Sequence, residues 1–120
     1  MKAVIEIAPR GSVFKTARKQ LKAAEGRPGF GADYHLSFES ARALFAELTP
    51  ARIDLLEALR RHGPCSVYAL AREVERNYSN VHTDIGKLEE HALVQRTPDD
   101  LVFVPFDEVE IHVALAKRAA

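Results

Sequence analysis

SVYALAREVERNYSNVHTDIGKLEEH, residues 66 to 91, reads as two short helices with a tight bend between them. Leu70, Ala71 and Val74 make a narrow apolar stripe on the first helix, and Val81, Ile85 and Leu88 recur at i, i+4 and i+7 on the second. The two stripes can face each other. Glu75, Arg76 and Asn77 interrupt them with no apolar residue, and Asn77 or Ser79 can cap the second helix by accepting from an orphan N–H. The pattern predicts a helix-turn-helix. With Val81, Ile85 and Leu88 turned inward, Ser79, Asn80, His82, Thr83 and Lys87 fall on the outer face, where a recognition helix meets the major groove.

The flanking sequence extends this module in both directions. Upstream, Thr49 and Pro50 are a cap and first-turn pair. They open a helix whose inward face is Ile53, Leu55, Leu56 and Leu59 and which runs to His62, where Gly63-Pro64 stops it. Cys65 precedes Ser66, the expected cap of the next helix, and reads as a buried packing thiol. Downstream, Leu93–Thr97 and Leu101–Pro105 are β-rich runs around a Pro98-Asp99-Asp100 turn. A hairpin directly behind a recognition helix is a wing. Its tip is acidic, which leaves Arg96 as its DNA contact.

The rest of the chain is a strand-rich surround. Residues 2–8 alternate as a short strand ended by Pro9, and Ser12–Glu25 form an amphipathic helix with Phe14, Ala17, Leu21 and Ala24 on one face. Its other face is basic: Lys15, Arg18, Lys19 and Lys22 suit phosphate or an acidic protein partner, or a plain solvated surface. GRPGFG at 26–31 reads as a linker, which divides the chain into a strand-helix arm over 1–30 and a domain over 31–120. The glycines of that segment lack the spacing of a phosphate-cradling loop. Tyr34, Leu36 and Phe38 alternate as a strand leading into a helix over Ser40–Leu48, with Ala41, Leu44, Phe45 and Leu48 inward. Val109, Ile111, Val113 and Leu115 alternate in a last strand, which needs cover from the N-terminal strand, the basic helix or a second copy.

Composition narrows the function classes. The chain has 120 residues, 47% apolar and 28% charged, with no run long enough to span a bilayer, and the apolar part of its N-terminus is too short for a secretory signal to be expected. The expected setting is cytoplasmic and free of membrane. One cysteine excludes an internal disulfide, and the five histidines show no metal-ligand spacing, so neither metal nor cofactor is expected. No nucleophile, carboxylate pair or ligand cluster supports an enzyme. Net charge is zero, yet the first 30 residues are basic and the helix-turn-helix segment is not, so local placement must carry any nucleic-acid contact.

Phe38–Ser40 (FES), Thr49–Arg52 (TPxR), Leu55–Pro64 (LLxALRxHGP), Leu70–Arg72 (LAR), Asn80–Asp84 (NVHxD), Leu88–Glu90 (LEE) and Val104–Val109 (VPFDEV) together resemble a set of short MarR-like winged-helix proteins. The resemblance covers most of the chain. It implies an α+β fold, a winged helix-turn-helix domain with an N-terminal strand-helix arm and a C-terminal wing plus an extra strand. It also implies a transcriptional regulator that binds double-stranded DNA as a homodimer, with a toxin protein as partner in the antitoxin-like members. The DNA-facing role passes to Asn80, His82, Thr83 and Lys87. Residue reasoning adds Arg76, Asn77, Tyr78, Ser79 and Arg96, with Asn77, Ser79 and Asn80 also readable as caps and Tyr78 as packing on the preceding helix. The alternative is a protein-interaction module that neutralises a partner through its basic arm, with little DNA binding. Thr83 stands where such helices often carry arginine. Gly86 weakens the helix interior, and Ala92 occupies an end position that favours glycine.

Overall fold

A computed structural model describes residues 1–8 and 33–115, which form an α+β protein of two compact units. One unit is built from residues 1–8, 33–46 and 106–115, and the other from the continuous stretch 47–105. The expected basic helix with Lys15, Arg18, Lys19 and Lys22, and the GRPGFG segment, lie outside the described residues.

The first unit is a parallel sheet. β1 (Lys2–Ile7) lies between β2 (Tyr34–Phe38) and β5 (Glu108–His112), with Ile5 opposite Leu36 on one side and Ile111 on the other. Period-two alternation then sorts the side chains. Ala3, Ile5 and Ile7 share a face with Leu36, Val109 and Ile111, while Lys2, Glu6, Glu110 and His112 share the other. On the polar face Lys2 Nζ donates to Glu110 Oε1 at 3.0 Å, His112 Nε2 lies 2.9 Å from Glu110 Oε2, and His35 Nδ1 lies 3.0 Å from Glu6 Oε1. The Tyr34 ring stacks on Phe106 at 5.6 Å, and burial raises the Tyr34 hydroxyl pKa.

Two sequence expectations change here. β1 is the central strand, with Ala3 and Ile5 fully buried, so the N-terminal strand is not part of an arm that ends at residue 30. The apolar alternation was legible, but strand order is set by tertiary pairing that no local pattern encodes. Phe45, expected inward, is half exposed on α1 (Ala41–Glu47), where Leu44 alone is buried. The helix expected over Ser40–Leu48 is seven residues long, and its two turns bury a narrower stripe, with Leu48 fully buried just beyond its end.

The second unit is three helices and a hairpin. α2 (Pro50–His62) starts where Thr49 accepts from the Arg52 N–H, and it buries Leu55, Leu56, Ala58 and Leu59. It ends at Gly63, whose φ of 85° is the left-handed conformation for which glycine carries no Cβ penalty. α3 (Val67–Glu73) is capped by Ser66, which accepts from the Ala69 N–H. α4 (Tyr78–Glu90) is capped by Asn77 and buries Val81, Ile85 and Leu88 completely. β3 (Gln95–Arg96) pairs antiparallel with β4 (Val102–Phe103), and Cys65 exchanges two backbone hydrogen bonds with Val102. That bridge ties the hairpin to the α2–α3 connection. Cys65 is buried, as expected, and burial raises its thiol pKa, so it is a poor thiolate.

The hairpin tip explains its own sequence. Asp100 N–H donates to Thr97 O across the Pro98-Asp99 turn, and Asp100 has φ 66°, the left-handed residue that follows such a turn in a three-residue loop. Both α3 and α4 end alike. After α3, Glu75 N–H donates to Arg72 O and Arg76 N–H to Ala71 O, with Glu75 at φ 55°. After α4, Ala92 N–H donates to Glu89 O and Leu93 N–H to Leu88 O, with Ala92 at φ 60°. These are Schellman ends with a Cβ-bearing residue where glycine is usual. Buried Leu88 and Leu93 supply the apolar contact that holds the second one.

A stability prediction arises here. Ala92→Gly should gain about 1 kcal/mol by relieving the left-handed position. Gly86→Ala should gain about 1 kcal/mol of helix propensity, since a Cβ at Gly86 meets nothing within 4 Å. Urea denaturation checks both: midpoints should rise, and a fall for Gly86→Ala would mean that the site is closed by something other than the described chain.

Candidate nucleic-acid interface

α4 owes its exposed face to its periodicity. Once Val81, Ile85 and Leu88 point inward, Ser79, Asn80, His82 and Thr83 are left exposed, with Gly86 and Lys87 continuing that side one turn on. The side chains are short and polar. Thr83 Oγ1 donates to Ser79 O at 3.0 Å, a bond within the helix. Asn80 makes no side-chain hydrogen bond among the described residues. Lys87 Nζ is 3.6 Å from Glu90 Oε2 one turn away, an exposed pair of small strength.

Other expected contacts are occupied within the fold. Asn77 is a cap: its Oδ1 accepts from the Ser79 N–H at 2.8 Å and the Asn80 N–H at 3.4 Å. Asn80 therefore joins the cap through its backbone N–H and not through its side-chain amide. Arg76 Nη2 donates to Asp84 Oδ2 at 2.7 Å, while Arg52 Nε donates to Asp84 Oδ1 at 3.0 Å. Arg52 also reaches Glu47 O at 2.8 Å. Asp84 thus joins α2, the α3–α4 turn and α4 through one carboxylate. Burial pushes the Asp84 pKa up, but the hydrogen bonds and charges of Arg76 and Arg52 outweigh it and hold the carboxyl below its ordinary 3.8.

Arg96 is similarly committed. Its Nη2 donates to Glu89 Oε1 and its Nη1 to Asp100 Oδ1, each at 2.7 Å, so it latches the hairpin to the end of α4. These bonds to Glu89 and Asp100 raise its pKa further. Arg76 and Arg96 therefore do not present a free guanidinium to phosphate: Asp84 takes Arg76 Nη2 while its Nη1 is buried without a hydrogen-bond partner among the described residues, and Glu89 and Asp100 take both arms of the Arg96 fork. Charge alone at these positions could not distinguish a phosphate contact from an internal pair.

The exposed aromatics form a set that sequence reasoning saw only in part. Tyr68 and Tyr78 are 61% and 47% exposed, with ring centroids 6.4 Å apart, and Tyr78 lies 5.8 Å from the His82 ring. Arg72 extends the row, its guanidinium carbon 6.0 Å from the Tyr68 ring centre. The expected packing of Tyr78 on the preceding helix is thus a tilted ring contact with Tyr68 that leaves Tyr78 about half exposed. Tyr68 and Arg72 went unassigned because they sit on α3, outside the second helix. The i, i+4 spacing from Tyr68 to Arg72 was the available signal.

Among the described residues, no group of three His, Cys, Asp or Glu can hold a metal, and no helix is long and apolar enough to cross a membrane. No curated protein matches the chain, and neither does any solved structure. One family model does match, over residues 47–111, a stretch that takes in α2, α3, α4 and the hairpin and so the exposed residues of α3 and α4 described above. Since that match spans more than half of the sequence, the chain belongs to the HVO_A0114 family.

Proposed function

We propose that the 47–105 unit is a winged helix-turn-helix of the MarR-like kind and that the protein is a DNA-binding transcriptional regulator acting as a pair of copies. α3 is the supporting helix, α4 the recognition helix, and β3–β4 the wing. The observation that carries this reading is the outer face of α4. Ser79, Asn80, His82 and Thr83 stand exposed with short polar side chains, and the Tyr68–Tyr78–His82 row with Arg72 lies beside them.

Short polar residues let a helix approach the floor of a groove, and a free amide such as Asn80 pairs with the N6 and N7 edge of adenine. Tyrosine hydroxyls and Arg72 suit the sugar-phosphate flanks. Lys87 is the cation of α4 itself that remains for phosphate. Because Arg76 and Arg96 are internally paired, affinity rests on few charges, and the salt dependence should be shallow.

Fluorescence anisotropy on duplex DNA from upstream of the protein's own gene tests this. Asn80→Ala should cost about 1 to 3 kcal/mol on the cognate site and little on random DNA. Lys87→Ala should weaken binding to both and lower the salt slope by about one unit. If neither variant differs from the parent on DNA and both lose affinity for a protein partner, α4 is a protein-interaction surface, as in an antitoxin whose work is neutralisation.

A further inference from the structure

We infer that two copies of this chain join through β5, whose outer edge pairs antiparallel with the same strand of a second copy to continue the sheet across both. The inference shares with the proposed function only the pairing of copies, and it stands or falls without DNA.

β5 is an edge strand of the described sheet, so half of its backbone N–H and C=O groups point away from β1. Natural edges are usually guarded by proline, a bulge or an uncompensated charge, especially lysine. From Glu108 to Val113 there is no proline, glycine or lysine. The carboxylate of Glu110, which would otherwise guard the edge, is already matched by Lys2 Nζ at 3.0 Å and His112 Nε2 at 2.9 Å. Ile111 is 36% exposed on the apolar face, and Leu115 beyond the strand is 80% exposed.

The sequence of the strand selects a second copy and a register. Antiparallel pairing centred on Ile111 sets Ile111 against itself, Val109 against Val113 of the other copy, and Glu110 against His112 of the other copy. Each polar pair is complementary and each apolar pair is alike in size, which is what cross-strand stabilisation needs. A shift to a centre at Glu110 would oppose two glutamates. The β2 edge offers no such match, since pairing about Leu36 sets His35 against Ser37 and leaves the charges of the sheet uninvolved. In the favoured register the apolar faces of both sheets run on without a break.

Cysteine placement and mass together test this on the full chain. Light scattering should give the mass of two chains at about 100 µM, falling toward one chain on dilution, as expected of a small interface. Under mild oxidation Ile111→Cys should yield a disulfide-linked dimer in high yield, since residue 111 faces its own copy within bridging distance. Val109→Cys should not, because its two copies would lie about 13 Å apart along the strands, beyond bridging reach. Both replacements are mild, and Cys65 is a buried background common to both. A single-chain mass at about 100 µM, or equal cross-linking of the two variants, overturns the inference. Failure of DNA binding in an otherwise dimeric protein would overturn the proposed function alone.

Discussion

Asp84→Ala is expected to cost about 3 kcal/mol and about 15 °C in Tm, the largest effect of any polar substitution in the 47–105 unit. The side chains of Asp84 and Arg52 are each only 14% exposed, so their attraction is less screened than that of a surface pair. Loss of the carboxylate leaves Arg76 and Arg52 facing the same gap, with Glu47 Oε2 at 3.5 Å as the carboxylate that Arg52 keeps. Glu89→Ala is the contrast. It breaks the Arg96 latch, but Arg96 and Glu89 are each 30% exposed and Asp100 79%, so the cost should stay below about 1 kcal/mol. Thermal unfolding of the two variants checks this directly; equal losses would mean that the Arg52–Asp84–Arg76 cluster is no stronger than a surface pair.

The same cluster sets an acid response. Its carboxyl has a pKa lower in the folded chain than the ordinary 3.8. The cluster's contribution is therefore complete above that value and is lost as pH falls through the lower folded one. Asp84→Asn, which cannot ionise, should remove that part of the acid dependence and lie close to the parent only in strong acid.

Deleting residues 1–8 should abolish the sheet. β2 and β5 have no neighbour but β1 among the described strands, so its loss leaves two separate strands, each too short to persist alone. Burial of Ala3, Val4 and Ile5 disappears as well, and Ile5 alone represents about 2 to 5 kcal/mol on truncation to alanine. Amide exchange should show protection lost over Tyr34–Phe38 and Glu108–His112 while the buried α4 core of Val81, Ile85 and Leu88 keeps its own. A truncated protein with its sheet amides still protected would restore the detachable arm that the GRPGFG segment suggested.

How legible all this was in the sequence depends on the range of the interaction. α2, α3 and α4 could be read because caps and apolar spacing are local: Thr49, Ser66 and Asn77 each accept from a backbone N–H within three residues. Ala92 was legible for the same reason, since a helix end forces its backbone. Strand order was not, because nothing near Ile5 says that its neighbours are Leu36 and Ile111. The site divides in the same way. Asn80 and Thr83 follow from the phase of α4, whereas the engagement of Arg76 and Arg96 depended on Asp84, Glu89 and Asp100 being brought within about 3 Å by folding. Arg76 and Asp84 are eight positions apart across a turn, a spacing that carries no pairing rule.

The parallel neighbours of β1 come from either side of the continuous 47–105 unit in the sequence. As the chain leaves the ribosome, β1 emerges first yet cannot gain its β5 neighbour until Glu108–His112 has been made, whereas every residue of the helical unit is already available by then. The sheet thus closes late, over a loop of about a hundred residues, and its closure entropy is charged against contacts that form last. During that interval the β5-facing edge of β1 waits unpaired, so the newly made chain is most open to misassembly along β1, where Ala3 and Ile5 are fully buried once synthesis is done.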